Sequence, residues 1–232
     1  PGYINFLDAF HSWLLVSEAT QSLGEICSTS FKHTAPAGVG LGEDLLSDIE
    51  KKMFMVGNID TTNSEAGRAF LRARNCDPLS SFGDWVAISG IVDLTCAQLL
   101  KREVSDGIIA LGYSNDALEV LKSKKGGKFM ILKGKSLSYQ DIEFREIFGM
   151  ALSQSSNREL VTHKYLDSVV TEQNTIPEKI RKDLLLATIT LKYTPSNSIS
   201  LALRGMVIGI GAGQQNRVDC VKLAGRKSRF FR

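Results

Sequence analysis

The chain has 232 residues, of which 43% are hydrophobic and 23% charged, and a formal net charge of +3. This apolar fraction excludes a disordered chain, and so slight a positive charge argues against a nucleic-acid partner. Four widely spaced cysteines without a CxxC pair indicate free thiols in a reducing compartment, and no apolar run reaches membrane length, so we expect a cytosolic protein without membrane contact.

The first half of the chain alternates apolar periodicity with turn signals. Helical spacing of apolar residues predicts a first helix that ends at Gly24, and a short strand then carries Lys32 and His33 to its end. Pro36 and Gly38 predict a turn directly after that pair. The predicted elements are helices over residues 8–22, 45–56 and 66–74, a strand over 26–31, and turns over 32–38 and 80–84.

The second half contains further apolar strands and one clear helix. The predicted elements are strands over residues 108–111, 129–132, 199–203 and 206–210, a helix over 181–191, a polar loop over 192–198, and a helix from about residue 214. Alternating helices and strands favour an α/β architecture. Residues 153–174 are the most linker-like, so we expect a two-lobed domain with sub-lobes over 1–155 and 175–232.

Lys32 and His33 form the first candidate catalytic pair. A neighbouring ammonium favours neutral histidine, which can accept a proton, and the same cation can stabilise negative charge on a substrate oxygen. The pair therefore suits an acyl-type transfer. The alternative is that two adjacent polar residues simply decorate a surface turn.

The spacing of the glycines argues against a dinucleotide-binding site, and the isolation of the histidines argues against a zinc site. Gly209, Gly211 and Gly213 follow a strand, but their GxGxG spacing is not the GxGxxG of dinucleotide-binding proteins. A tight strand-to-helix connection is the better interpretation. The three histidines are isolated from one another and from the cysteines, so we expect no zinc.

Several polar residues lie in turn-like contexts. Asp84, Asp106 and Asn197 either cap a turn or helix or belong to a site. Arg217 either forms a helix salt bridge or binds a phosphate through its two terminal nitrogens.

Six segments occur in one order along the whole chain: GYINFLDAF (2–10), SFKHTAPAG (30–38), RARNCDPLSSFGDWVA (72–87), REVSDGIIA (102–110), KYTPSNS (192–198) and GIGAGQQNRVDCVKLAG (209–225). In sequence and order they resemble the 5-aminoimidazole-4-carboxamide ribonucleotide (AICAR) transformylase family. In this family the transformylase is usually the C-terminal part of a bifunctional protein that also carries IMP cyclohydrolase.

The resemblance implies roles for matching positions. It makes His33 the proton acceptor and Lys32 the transition-state stabiliser of formyl transfer from 10-formyltetrahydrofolate to the amine of AICAR. The other implied positions are ribonucleotide or folate contacts at Gly83, Asp106, Asn197 and Arg217, a folate-side wall at Phe82 and Val218, and, as in some members, a potassium ion near Thr194, Ser196 and Ser198.

The resemblance also implies an architecture and a partner. It predicts a cytidine-deaminase-like α/β fold without zinc, in a homodimer whose active sites draw residues from both subunits. The cyclohydrolase half and the C-terminal end of the transformylase are absent from residues 1–232, so we expect an incomplete domain. The alternative function is that of an inactive fragment or degenerate copy that serves as a dimerising or binding module.

Overall fold

The computed structural model describes residues 2–135 and 140–229. Its helices are α1 (Tyr3–Leu23), α2 (Asp48–Met53), α3 (Glu65–Asn75), α4 (Leu94–Lys101), α5 (Asn115–Lys122), α6 (Glu178–Lys192) and α7 (Arg217–Ser228). Its strands are β1 (Cys27–Lys32), β2 (Ala35–Leu41), β3 (Asp84–Val92), β4 (Ser105–Tyr113), β5 (Met130–Lys133), β6 (Ile142–Ile147), β7 (Met150–Ser155), β8 (Ile199–Leu203) and β9 (Met206–Gly211).

Seven strands form one mixed sheet in the order β5-β4-β3-β1-β2-β9-β8. β3, β4 and β5 are parallel and are joined by α4 and α5, whereas the other neighbours pair antiparallel. This arrangement confirms the predicted α/β class. Strands from both predicted sub-lobes share the sheet, because β9 pairs with β2.

The first helix is longer than its apolar pattern predicted. α1 begins at Tyr3 and packs Ala9, Trp13 and Val16 into the core. It ends as predicted at Gly24, which has a left-handed φ of 76° and donates its N–H to the Thr20 carbonyl at 2.8 Å. Glycine adopts this conformation without the steric cost that a Cβ brings.

The turn after Lys32 differs from the predicted one. His33 and Thr34 alone make it, with φ of 57° and 61°, and Pro36 and Gly38 already lie in β2. Packing against α3 explains Gly38, since a Cβ there would come within 2.1 Å of the Ala73 carbonyl oxygen. This glycine therefore serves helix-to-sheet packing instead of chain reversal.

The linker-like stretch is only partly irregular. β6 and β7 form a separate two-stranded hairpin whose residues are all exposed, and a short 3₁₀ helix follows at His163–Leu166. Within the described residues, no helix is long and apolar enough to span a membrane.

Candidate active site

One edge of the seven-stranded sheet collects most of the predicted site residues. β1 ends there at Lys32, β3 and β4 begin there beside Gly83 and Asp106, and β8 begins there after Asn197. β9 runs to the same edge and continues through a loop to Arg217 at the start of α7. Strand direction thus gathers residues that lie far apart in the chain.

Lys32 contacts the turn that precedes β3. Its Nζ donates a hydrogen bond to the Phe82 carbonyl oxygen at 2.6 Å. Gly83 follows with a left-handed φ of 74°, and a Cβ placed on it would lie 3.9 Å from the same Nζ. The Phe82 ring is exposed. Lys32, Phe82 and Gly83 are therefore immediate neighbours, as the predicted site requires.

The backbone of His33 is held by a carboxylate from α1. Asp8 accepts the His33 N–H at 3.3 Å and the Thr34 N–H at 2.6 Å. Burial raises the pKa of the Asp8 carboxyl, and the backbone hydrogen bonds and the nearby histidines offset this only in part. Sequence reasoning missed Asp8. Its signal was that Asp8 is the only charged residue in the apolar segment 2–10.

A cavity of about 290 Å³ opens beside the catalytic candidates. Its lining comprises Lys32, His33, Ala35, Pro36, Ala37, Ser80, Ala212 and Lys227. A second cavity of about 520 Å³ shares Ser80 and Lys227 with it and is also lined by Asp77, Leu79, Arg226 and Arg229. The pair of cavities is rich in cationic side chains, which suits an anionic ligand.

Lys227 also joins α7 to the loop after α3. Its Nζ lies 2.8 Å from an Asp77 carboxylate oxygen. Asp77 further accepts the Ser80 hydroxyl at 2.6 Å and the Ser80 N–H at 3.1 Å. Burial raises the pKa of Asp77, but Lys227 and Ser80 together hold it below its ordinary value. Asp77 is therefore a carboxylate at neutral pH.

Asn197 and Arg217 contact each other at this sheet edge, where the loops before β8 and α7 meet. Arg217 donates to the Asn197 side-chain oxygen at 3.1 Å. The Asn197 amide nitrogen donates to the carbonyl oxygens of Gln214 and Gln215 at 3.2 and 3.3 Å. The loop before β8 and the loop before α7 are thereby fixed to each other. Val218 follows Arg217 on α7, and its side chain is exposed.

The polar loop after α6 contains the predicted potassium ligands. Thr194 is buried and donates its hydroxyl to the Thr190 carbonyl oxygen at 2.7 Å. Hydroxyl oxygens such as those of Thr194, Ser196 and Ser198 are ligands that suit a hard cation. Across the described ranges, no group of three or more His, Cys, Asp or Glu side chains could hold a metal.

Asp106 lies near the start of β3, apart from Lys32. Its carboxylate lies 2.8 Å from Lys125 Nζ and accepts the Asn5 amide at 3.4 Å. β3 separates its strand from β1, so Asp106 is at the same edge but is not a neighbour of Lys32.

Asp84 is fully buried, unlike a turn cap. It is the first residue of β3 and accepts hydrogen bonds from Ser30 at 2.6 Å, Ser105 at 2.5 Å and Arg74 at 3.0 Å. Burial raises the pKa of its carboxyl, although Arg74 and the two hydroxyls act in the opposite direction. Asp84 therefore lies behind the site surface and lines neither the 290 Å³ nor the 520 Å³ cavity.

Comparison with known proteins gives one consistent result. A sequence profile of the AICARFT/IMPCHase bienzyme matches residues 1–227. The chain is 31% identical over 216 residues to the bifunctional purine biosynthesis protein PurH of Clostridium acetobutylicum, an alignment that covers 93% of this chain and 37% of that protein. PurH of Elusimicrobium minutum is 30% identical over 225 residues, or 97% of this chain and 38% of its own length. The chain thus spans less than two fifths of these relatives.

Proposed function

The chain belongs to the AICARFT/IMPCHase bienzyme family, and from this premise we propose that it acts in purine biosynthesis as a formyltransferase. The proposed reaction moves the formyl group of 10-formyltetrahydrofolate to the amine of AICAR. The observation that carries the proposal is the meeting of Lys32, Phe82 and Gly83 beside a cationic cavity at one sheet edge. We also expect the reaction to take place in the cytosol.

The proposed chemistry needs a base and a cation. The amine of AICAR is a weak nucleophile because its lone pair is delocalised toward the carboxamide. As its nitrogen bonds to the formyl carbon, His33 accepts a proton from that nitrogen and Lys32 stabilises the negative formyl oxygen. The intermediate then breaks the bond to the folate nitrogen, which takes up the proton from His33. Tetrahydrofolate and the formylated ribonucleotide result.

The local geometry supports these assignments. A lysine ammonium has three N–H donors, and the Phe82 carbonyl uses one, so Lys32 keeps two for a substrate oxygen. Asp8 fixes the backbone of the left-handed turn that carries His33. Groups held in place before substrate binds lower the cost of reaching the transition state.

We assign substrate contacts to the same edge. The ribonucleotide and the folate would be contacted by Gly83, Asp106, Asn197 and Arg217, with Phe82 and Val218 on the folate side. Arg217 still has unused donors besides the one that binds Asn197. A hard monovalent cation, potassium, would bind near Thr194, Ser196 and Ser198 and stabilise that loop.

We further propose that the protein is a homodimer with shared active sites. The β6–β7 hairpin supports this, since it exposes apolar side chains: Ile142, Phe144, Phe148, Met150 and Leu152. A two-stranded hairpin by itself is marginally stable in water, and exposed apolar patches commonly mark protein interfaces.

Replacing His33 by Ala tests the proposed function. Turnover of AICAR should fall by about 100-fold or more, as expected for loss of a general base, whereas ribonucleotide affinity should change little. Single-turnover formyl transfer and calorimetric titration of AICAR measure the two effects. His163→Ala is the matched control, because His163 is an exposed histidine in the 3₁₀ helix that follows β7.

The outcomes separate the two candidate functions. Near-normal turnover of the His33→Ala variant would remove His33 as the base. If the unmodified protein binds neither AICAR nor a folate analogue in separate titrations, the alternative of an inactive dimerising module replaces the formyltransferase.

A further inference from the structure

A buried arginine lies behind the Ser81–Gly83 turn, in which the Phe82 carbonyl accepts a hydrogen bond from Lys32. Arg74, near the end of α3, donates from Nη1 to the Asp84 carboxylate at 3.0 Å and to the Ser81 carbonyl oxygen at 2.8 Å. Its Nε donates to Glu103 at 2.8 Å. The Ser81 hydroxyl in turn donates to the Arg74 carbonyl oxygen at 3.1 Å. One side chain thus connects α3, the turn before β3 and the loop before β4.

This network fixes the peptide groups on both sides of Phe82. The Ser81 carbonyl is held by Arg74, and the Gly83 N–H donates to the Val104 carbonyl oxygen at 2.8 Å. The Phe82 carbonyl shares a planar peptide group with the Gly83 N–H, so these bonds give the carbonyl one direction, which is toward Lys32 Nζ. The position of the ammonium therefore depends on groups that it does not touch.

Burying this ion pair costs free energy, so its presence calls for an explanation. Removing two charges from water costs several kcal/mol, and well-packed apolar residues commonly stabilise a protein as well or better. Asp84 is fully buried and the Arg74 side chain is 8% exposed. Only arginine offers donors in several fixed directions at once, which this site uses for Asp84, Ser81 and Glu103.

We propose that Arg74 and Asp84 are positioning residues, which set the location of the Lys32 ammonium through the Ser81–Gly83 turn. The proposal rests on the proposed function in so far as Lys32 serves formyl transfer. The structural part, that Arg74 orders the turn, stands on the hydrogen bonds alone. Neither residue touches the cavities beside Lys32, so neither is a catalytic residue.

Arg74→Lys is the decisive variant, since it keeps the charge near Asp84 but loses the reach to Ser81. In the full-length protein, kcat should fall by about 10-fold or more, because small displacements of catalytic groups raise the activation barrier. The KM for AICAR should change less than kcat, since Asn197 and Arg217, two of the proposed ligand contacts, lie outside the Ser81–Gly83 turn. Hydrogen exchange at the Gly83 amide should become at least about tenfold faster as the turn opens more often.

Arg72→Lys is the matched control. Arg72 lies on the same helix with a side chain 2% exposed, and it binds Glu50 at 3.2 Å and the Leu41 carbonyl at 2.8 Å, at the opposite edge of the sheet. This variant tests the cost of changing a buried arginine in α3 without touching the turn. It should leave kcat and the Gly83 exchange rate near their original values.

Kinetics and hydrogen exchange together decide the proposal. Equal kcat in the two lysine variants, or unchanged Gly83 exchange in Arg74→Lys, would overturn it. If the unmodified protein transfers no formyl group, the proposed function fails, and Gly83 exchange alone then decides whether Arg74 orders the turn. Should Arg74→Lys not fold, Ser30→Ala removes a milder link to Asp84 and Ser81, and it should show the same split with a smaller fall in kcat.

Discussion

At the scale of single residues, buried carboxylates around the site bind backbone N–H groups and cationic side chains. Asp8 binds the N–H groups of the turn at His33, and Asp84 binds Arg74 behind the turn at Phe82. Asp77 binds Lys227 beside the cavity. Each carboxylate links two elements that meet only in the folded chain, so spacing along the sequence gives no sign of the pairing.

Asp77→Asn should destabilise the fold in a pH-dependent way. Because the folded pKa of Asp77 lies below its ordinary value of 3.8, its interactions stabilise the fold above that pH and are lost as pH falls through the folded pKa. We expect a loss of about 1.5–3 kcal/mol at pH 7, the range for hydrogen bonds to a charged group. Urea unfolding at several pH values should show the difference between variant and original shrinking toward acid.

The exposed Asp48 provides the control for that experiment. Its carboxylate is 3.7 Å from Lys51, and its side chain is 93% exposed. Asp48→Asn should therefore leave unfolding nearly unchanged at every pH. A gap between the Asp77 variant and the original protein that persists at low pH would contradict the assigned cause.

At the scale of elements, close contact between helix and strand explains the glycines of the last segment. A Cβ at Gly209 would lie 2.4 Å from the Ala224 carbonyl oxygen, and one at Gly211 would lie 2.2 Å from the Cys220 carbonyl oxygen. Both partners belong to α7, which packs on β9. A helix does follow this strand, but it begins at Arg217 instead of residue 214, and Gly209 and Gly211 lie within β9, where they serve packing and not a tight turn.

Gly211→Ala should push α7 away from β9. Overpacking a close backbone contact costs about 1–3 kcal/mol, so the thermal midpoint should fall. Gly225→Ala is the counterpart, because Gly225 lies inside α7 with open space around its Cβ position, and alanine there should stabilise the helix by about 0.5–1 kcal/mol. Calorimetry of both variants should give shifts of opposite sign, and a neutral Gly211→Ala would refute the close contact.

Which elements could be predicted depends on whether their signal is local. The strands over 199–203 and 206–210 were predicted because a short turn separates two apolar runs, and the helix over 181–191 because its periodicity is clear. β3 and the hairpin of β6 and β7 were missed. β3 is buried on nearly all its length and so lacks alternation, and the hairpin exposes its apolar residues.

The site residues also divide into those with a local sequence signal and those without one. Lys32 at a strand end could be predicted from sequence, since the strand before it is local. The turn after it could not, because Pro36 and Gly38 are ordinary turn signals and only the crossing of α3 over β2 shows why a glycine is needed. Asp8 and Lys227 could not be placed either, since their partners are distant in the chain.

At the scale of the whole molecule, burial controls the reactivity of the thiols. Burial raises the pKa of Cys27, Cys76 and Cys96, and only the thiolate form of cysteine is nucleophilic. Cys220 is also buried, and its Sγ donates to the Asn197 carbonyl oxygen at 2.9 Å. Each thiol must therefore be uncovered by local or global opening before its sulfur meets a reagent.

The four thiols should be silent in the native protein. We expect Ellman's reagent at pH 8 to label fewer than one cysteine per chain over minutes, and all four in concentrated urea. Denaturant dependence of the labelling rate would connect each thiol to local or global opening. Rapid labelling of several cysteines in buffer would contradict the burial of these side chains.

The pairing of β2 with β9 has a consequence for the nascent chain during translation. Leu41 donates to the Gly205 carbonyl, yet about 165 positions separate β2 from the strand that covers it. At roughly 5–20 residues per second, translation leaves the N–H and C=O groups on the β9 side of β2 without their sheet neighbour for roughly 10–30 s, while the other side pairs with β1. An open strand edge recruits other strands during such a delay. Slow codons between β2 and β9 should therefore lower the yield of correctly folded protein, even though they change no amino acid.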